Sequence, residues 1–250
     1  MPAPDRVAAL VHWFWIPEWR IAPGRASRQH TISFPGCNLV VESDTVGFAG
    51  PTTRASYRDL RGTGWAVGAL LRPAAVRAFT DEPATLRDSY RSVPEPDLHA
   101  AVSAAMTAPG ERTDAHRHRA VEAFTDWLTA TVPAPTEEAL LANVMADLVG
   151  TDPTVLTVED AAERLHVSVR TLQRLAGRHV GLPPSTMIRR RRLQEAAERL
   201  RAEPATNLAA LAAELGYTDH SHLANEFRSV LGYTPSGYRR QVHRDDTDPG

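Results

Sequence analysis

The chain has 250 residues, 42% of them apolar and 23% charged, with a formal net charge of −2, the balance of a folded globular protein rather than a disordered one. No apolar run approaches the roughly 20 residues that span a bilayer, and no secretory signal pattern is seen, so a cytoplasmic protein is expected. The single cysteine, Cys37, excludes an internal disulfide and a four-cysteine zinc site.

All of the basic side chains are arginine, and they are unevenly placed. Residues 1–156 carry 14 arginines against 18 acids, whereas residues 157–240 carry 13 against 9. A basic C-terminal part beside an acidic N-terminal one is the footprint of a nucleic-acid reader joined to a regulatory domain.

The first third reads as short strands: His12–Trp19, Gln29–Phe34, Asn38–Glu42, Ala55–Leu60 and Trp65–Leu71. Turn signals at Pro23-Gly24, Pro35-Gly36, Gly50-Pro51 and Gly62-Thr63-Gly64 divide them. From Pro73 the pattern turns helical, over Ala74–Thr80, Asp97–Thr107, Thr113–Thr131 and Thr136–Val149. The last three stop at Pro109-Gly110, Pro133 and Gly150. Leu140, Leu141, Val144, Met145 and Leu148 form one apolar stripe, suited to a core or a dimer seam. Gly150-Thr151-Asp152-Pro153 is the expected linker. It divides the chain into a regulatory part over residues 1–150, a second domain over 151–241 and a disordered tail over 242–250.

Beyond the linker the chain reads as helical throughout and repeats itself once. Val158–Leu165, His166-Val167-Ser168, Leu172 and Gly181-Leu182-Pro183-Pro184-Ser185 return as Leu208–Leu215, Gly216-Tyr217-Thr218, Leu223 and Gly232-Tyr233-Thr234-Pro235-Ser236. The offset grows by one residue in the second turn. Thr157 can cap the first helix with its hydroxyl on an amide near Asp160, and Ser168 can cap the second. Leu172 and Leu175 face inward, which leaves Arg170, Gln173, Arg174 and Arg178 on the opposite face. Arginine can bond the two acceptors of guanine, and glutamine the donor–acceptor pair of adenine. In the second copy Asn207 caps one helix, and Thr218 or Asp219 the next. His220, Ser221, His222, Asn225 and Arg228 form the outer face there, with Leu223 and Phe227 inward. Between the copies lies an amphipathic strut, Pro184–Ala202. Its run Arg189-Arg190-Arg191-Arg192 either flanks phosphates or forms a solvated face paired with Glu195 and Glu198.

The stretch from Thr157-Val158-Glu159-Asp160-Ala161-Ala162 to Thr234-Pro235-Ser236-Gly237-Tyr238-Arg239 resembles the DNA-binding domain of the AraC/XylS family of transcription regulators. The resemblance implies two helix-turn-helix units on a linker helix, reading successive major grooves about 34 Å apart. Carried over, the DNA-binding residues are Ser168, Arg170, Thr171, Gln173, Arg174 and Arg178, then His220, Ser221, His222, Asn225 and Arg228. Two positions depart from the pattern: Ala176 stands where a bulky aromatic is common, and Asn225 where an arginine is. The partners implied are double-stranded DNA, a small-molecule effector, RNA polymerase and a second copy of the chain, with no membrane partner and no cofactor.

The segment from His12-Trp13-Phe14-Trp15 to Arg72-Pro73 is similar to a domain of unsettled function found ahead of this DNA-binding domain, and suggests a small cupin-like β-structure followed by helices. The fold class expected is therefore α+β, with a β-rich N-terminal domain and an all-α C-terminal one. Trp13, Trp15, His30, Cys37 and Trp65 are the candidate effector residues, with Trp19 and Phe48 as further aromatics; a plain core is the alternative use of such residues. His12, His30 and Cys37 lie too far apart in sequence to offer a close ligand pair, so no metal site is expected. His116-Arg117-His118 reads as an exposed helix face. No catalytic motif stands out, so no enzyme is expected. Two further readings stay open: a ligand-independent regulator whose front domain only dimerises, and a repair enzyme carrying a DNA-targeting module.

Overall fold

The computed structural model describes residues 1–31, 34–108, 114–203 and 205–245. Residues 32–33 of the expected strand Gln29–Phe34, the Pro109-Gly110 stop, the expected helix start at Thr113 and residues 246–250 lie outside them.

Among the described residues, eight strands and four α-helices precede the repeat. The strands are β1 (Val11–Trp15), β2 (Glu18–Arg20), β3 (Ser27–Thr31), β4 (Asn38–Glu42), β5 (Val46–Ala49), β6 (Ser56–Leu60), β7 (Thr63–Leu71) and β8 (Tyr90–Ser92). One sheet runs β1-β7-β4-β5-β8, with β2 also paired to β7, and β3 and β6 form a separate antiparallel pair. The expected strand His12–Trp19 is two, because Ile16-Pro17 interrupts it: β1 meets Leu71 to Gly68 of β7, and β2 meets Trp65 to Thr63. Strands β5 and β8 have no counterpart in the sequence reading. They meet where Gly47 lacks a side chain, since a Cβ there would lie 1.9 Å from the Tyr90 ring.

The helices of this half are α1 (Pro73–Val76), α2 (Pro96–Thr107), α3 (Asp114–Thr131) and α4 (Glu137–Thr151). One face of the sheet buries Phe14, Leu39, Val41, Phe48, Trp65 and Val67 against Leu98 and Val102 of α2 and Phe124 and Leu128 of α3. Phe14 and Phe124 meet edge to face, with ring centroids 5.5 Å apart.

The C-terminal helices are α5 (Val158–Arg164), α6 (Val169–His179), α7 (Pro184–Ala202), α8 (Leu208–Glu214), α9 (His220–Leu231) and α10 (Pro235–Asp245). They make two small cores joined by α7. Met187 and Ile188 of α7 pack with α5 and α6, whereas Leu193, Ala196 and Leu200 pack with α8 and α9. At 19 residues α7 is a rod of about 28 Å.

Helix α4 crosses the expected division. It contributes Ala142, Met145 and Val149 to the core of α5 and α6, and Gly150 and Thr151 of the expected linker are its last turn. A fragment beginning at Asp152 would leave that core open. At the other end, α10 continues to Asp245, into the segment expected as tail.

Candidate nucleic-acid interface

Each unit of the repeat is built by the same local devices. Thr157 caps α5: its hydroxyl accepts from the Asp160 amide at 3.1 Å, and the Asp160 carboxylate accepts from the Thr157 amide at 2.8 Å. Asn207 caps α8 by accepting from the amides of Ala209 and Ala210. The turn then closes identically in both units. His166 and Gly216 take positive φ, 53° and 72°. The next amide reaches back to Ala162 in one unit (from Val167, 3.0 Å) and to Ala212 in the other (from Tyr217, 2.8 Å). The offset of 50 between these partners becomes 51 at the second cap. Ser168 accepts from the Thr171 amide at 3.1 Å, and Asp219, rather than Thr218, accepts from the His222 amide at 2.8 Å. Both second helices run into a positive-φ glycine, Gly181 and Gly232, the position that a side chain would strain.

The inward residues are those expected. Leu172, Leu175 and Ala176 of α6 and Leu223 and Phe227 of α9 are buried. Ala176 shares its core with Met145 and Val149 of α4, whereas its counterpart Phe227 packs edge-on against Tyr238 of α10, 5.6 Å between centroids. The small residue stands where a third helix has joined the unit.

On the outer faces, Ser168, Arg170, Gln173, Arg174 and Arg178 of the first unit are exposed and Thr171 is half-buried; His220, Ser221, His222, Asn225 and Arg228 of the second are exposed. Not all of these side chains are idle. The Ser168 hydroxyl is engaged as the cap and lies 2.9 Å from that of Thr171. His222 packs edge-on against the Tyr217 ring. Arg174 and Arg178 both bond Glu138 of α4, at 2.8 and 3.0 Å. Nothing in the sequence pattern singled out Glu138.

The arginine run of α7 is divided among different partners, and of the two acids expected for it Glu195 pairs with Arg191. Arg189 faces Glu226 of α9 at 3.2 Å. Arg190 is buried with its guanidinium 5.5 Å from the Phe34 ring centre, and burial pushes its pKa down to about 10. Arg191 donates to the Val155 carbonyl at 2.9 Å and pairs with Glu195, and Arg192 donates to the Leu156 carbonyl. The run therefore ties the strut to α9, to the segment ahead of α5 and to the N-terminal half.

That half touches both units at the ends of α6 and α9. Arg87 donates to the Gly181 carbonyl at 2.7 Å, and the backbone of Pro83 comes so close that a Cβ on Gly181 would lie 2.6 Å from it. The Ala55 amide donates to the Ser229 carbonyl at 3.3 Å.

The candidate effector residues do not gather around one space. Trp65 is core, Trp15 lies over Gly68 with its indole N–H bonded to Asn38, and Trp13 is exposed beside Phe34. His30 pairs in β3 with Tyr57 of β6, away from them in the topology. Phe48 belongs to the core, and Trp19 bonds the Arg61 carbonyl. Cys37 lines a cavity of about 150 Å³ between the sheet and the C-terminal helices. Its walls include His12, Phe34, Leu70, Arg72, Asp147, Val180, Met187 and Arg190. Cys37 is fully buried, which pushes its thiol up to about 12. Among the described residues no group of three or more His, Cys, Asp or Glu could hold a metal ion, and no helix is long and apolar enough to cross a membrane. His116 is not on an exposed face: it is buried and meets Glu18 at 3.0 Å.

A helix-turn-helix domain model matches residues 161–241, and a domain of unknown function, DUF6597, matches residues 1–92. The chain is 34% identical over 125 residues to a putative AraC-like transcription regulator of Streptomyces lividans, covering 50% of this chain and 39% of that one. It therefore spans well under two thirds of that relative. It is 31% identical over 105 residues to the HTH-type transcriptional activator AarP of Providencia stuartii, covering 41% of this chain and 76% of AarP. Among solved structures, ToxT of Vibrio cholerae aligns with a TM-score of 0.46 at 11% identity over 91% of this chain and 98% of that one.

Proposed function

The chain belongs to the AraC/XylS family of transcription regulators, and on that premise we propose that it is a sequence-specific, double-stranded-DNA-binding regulator whose α6 and α9 read successive major grooves. The observation that carries this reading is the pair of units with identical turn closure, each presenting a polar, exposed helix face directly after its cap. Arg170, Gln173 and Arg174 are the base-reading side chains of the first unit, with forks that suit guanine and adenine. Ser168 and Thr171, engaged with each other at the helix start, meet phosphate, as does Arg178. His220, Ser221 and Asn225 read through the second unit, with His222 and Arg228 flanking. Residues 151–241 are the reading domain and 1–150 the regulatory one, with α4 shared between their cores. The protein acts in the cytoplasm, without cofactor and without catalysis.

The regulatory part answers to a small effector in the 150 Å³ cavity rather than among the tryptophans. A cavity of that volume admits a single-ring molecule, and its walls come from both parts of the chain, so an occupant would bias their docking. A dimerisation-only role is the second reading, favoured by Leu140 and Val144, which are 42% and 51% exposed on α4. The test is selection of a motif by the full chain from a randomised duplex pool, followed by titration against salt. Affinity should fall steeply, with a log–log slope near −0.9 per phosphate neutralised. Failure to enrich any sequence would overturn the reading of α6 and α9. A thermal-shift screen of small amphipathic compounds, followed by their effect on DNA affinity, separates effector control from dimerisation alone.

A further inference from the structure

We propose that Glu138 is an inhibitory clamp on the first recognition helix, competing with DNA for Arg174 and Arg178. The inference rests on the reading of α6 as a DNA-reading helix. Glu138 sits in the first turn of α4, behind the cap that Thr136 makes with the Ala139 amide. An acid there suits the helix start, but the neighbouring Glu137 already supplies one. What distinguishes Glu138 is its reach. One carboxylate oxygen accepts from Arg174 at 2.8 Å, and the other accepts from Arg178 at 3.0 Å and lies 3.4 Å from His179 Nε2. These bonds, with that to Arg174 foremost, hold the carboxylate below its ordinary range.

The two arginines stand one helical turn apart, so a single acid engages one edge of α6 and leaves Arg170 and Gln173 exposed on its remaining polar face. Arg174 cannot present its fork to a guanine while Nη1 bonds Glu138, and a carboxylate fixed at that edge would face incoming phosphates. The clamp is set from the N-terminal half, because α4 is fastened there by Asn143, which bonds the Ala74 amide and the Ala9 carbonyl, and by Asp147, which pairs with Arg72. Asp147 also lines the interdomain cavity, as do Ala146, Gly150 and Thr151. A shift of α4 at the cavity is therefore felt at Arg174.

Both arginines are about half exposed, at 48%, so each pair should shift an equilibrium by only a few-fold. A clamp of that strength is one that DNA or an effector can open. The test is Glu138→Gln in the full chain, measured against the selected duplex at several salt concentrations, with Glu137→Gln as a control of equal charge change. Glu138→Gln should tighten binding by roughly 3- to 20-fold at low salt, with the advantage shrinking as salt rises, and Glu137→Gln should change it by less than about 2-fold. An unchanged or weaker affinity for Glu138→Gln, in a protein that still unfolds cooperatively, overturns the clamp; so does an equal gain from Glu137→Gln, which marks a general charge effect. If instead the wild-type chain enriches no sequence, and Arg170→Ala is without effect on what binding there is, it is the reading of α6 that has failed.

Discussion

Asn143 and Ala74 are joined by a buried hydrogen bond of 2.9 Å, in which the side-chain carbonyl of α4 accepts from the first turn of α1, while the amide nitrogen of Asn143 donates to Ala9 at 2.8 Å. One side chain thus fastens α4 to two backbone segments of the N-terminal half. Asn143→Leu keeps the branched shape and leaves the Ala74 amide without an acceptor, a loss of about 1–3 kcal/mol. Urea unfolding of the full chain measures it; a change under about 0.5 kcal/mol would show that the joint is made by apolar packing instead.

The cap of α5 gives a pH-dependent prediction. Amide bonds from Thr157 and Leu156 hold the Asp160 carboxyl below the usual carboxylate range. A depressed folded pKa stabilises above the unfolded value, near 3.9, and that stability is lost as pH falls through the folded value. Asp160→Asn should therefore lower the Tm at neutral pH, and the gap from wild type should close as pH drops below about 4. Thr157→Ala, which removes the other half of the cap, should cost about 1 kcal/mol with little pH dependence. A gap for Asp160→Asn that is constant from pH 7 to 3 would contradict the assignment.

The two recognition helices should contribute unequally to specificity. On the proposed reading of α6, Arg170→Ala and Gln173→Ala should each cost about 1–3 kcal/mol and relax the preference at one base position, since each removes a side chain able to make a bidentate base contact. Asn225→Ala should cost less, and Asn225→Arg should tighten binding by adding a guanine or phosphate contact. Reselection of each variant from a randomised operator pool is the measurement. Loss of the motif in Asn225→Ala with none in Arg170→Ala or Gln173→Ala would reverse the order of the two units.

Cys37 should be inert as a redox sensor. It is fully buried, and a thiol pushed up to about 12 is almost wholly protonated at pH 8. Its reaction with a thiol reagent should be slower than that of the unfolded chain by orders of magnitude, limited by opening of the fold. Rapid modification of the native protein at pH 8 would mean that the cavity admits the reagent. A ligand seated in that cavity should slow the reaction further.

The sequence by itself determined the C-terminal architecture. Caps, turn glycines and the apolar residues of α5, α6, α8 and α9 are local features repeating at an offset of 50 to 51, so reading one copy checks the other, and both exposed polar faces followed from helical spacing alone. Strand β4 was legible for the same reason, as a short apolar run between turns. Tertiary structure decided the rest. Strands β5 and β8 exist because Gly47 leaves room for Tyr90, a contact between distant residues that neither strand's own pattern announces. Trp13, Trp15 and Trp65 looked like one aromatic lining, yet the strand register sends them to three different environments. The arginine run of α7 presented four equal charges, and only the neighbours of each could assign Arg189 to Glu226, Arg190 to Phe34, and Arg191 and Arg192 to backbone carbonyls. Glu138 is the plainest case. In the sequence it is one of two acids at a helix start, where either is satisfied locally; its partnership with Arg174 arises because α4 packs on α6 through Met145, Val149 and the small Ala176, and a packing angle between helices is not written in the periodicity of either one.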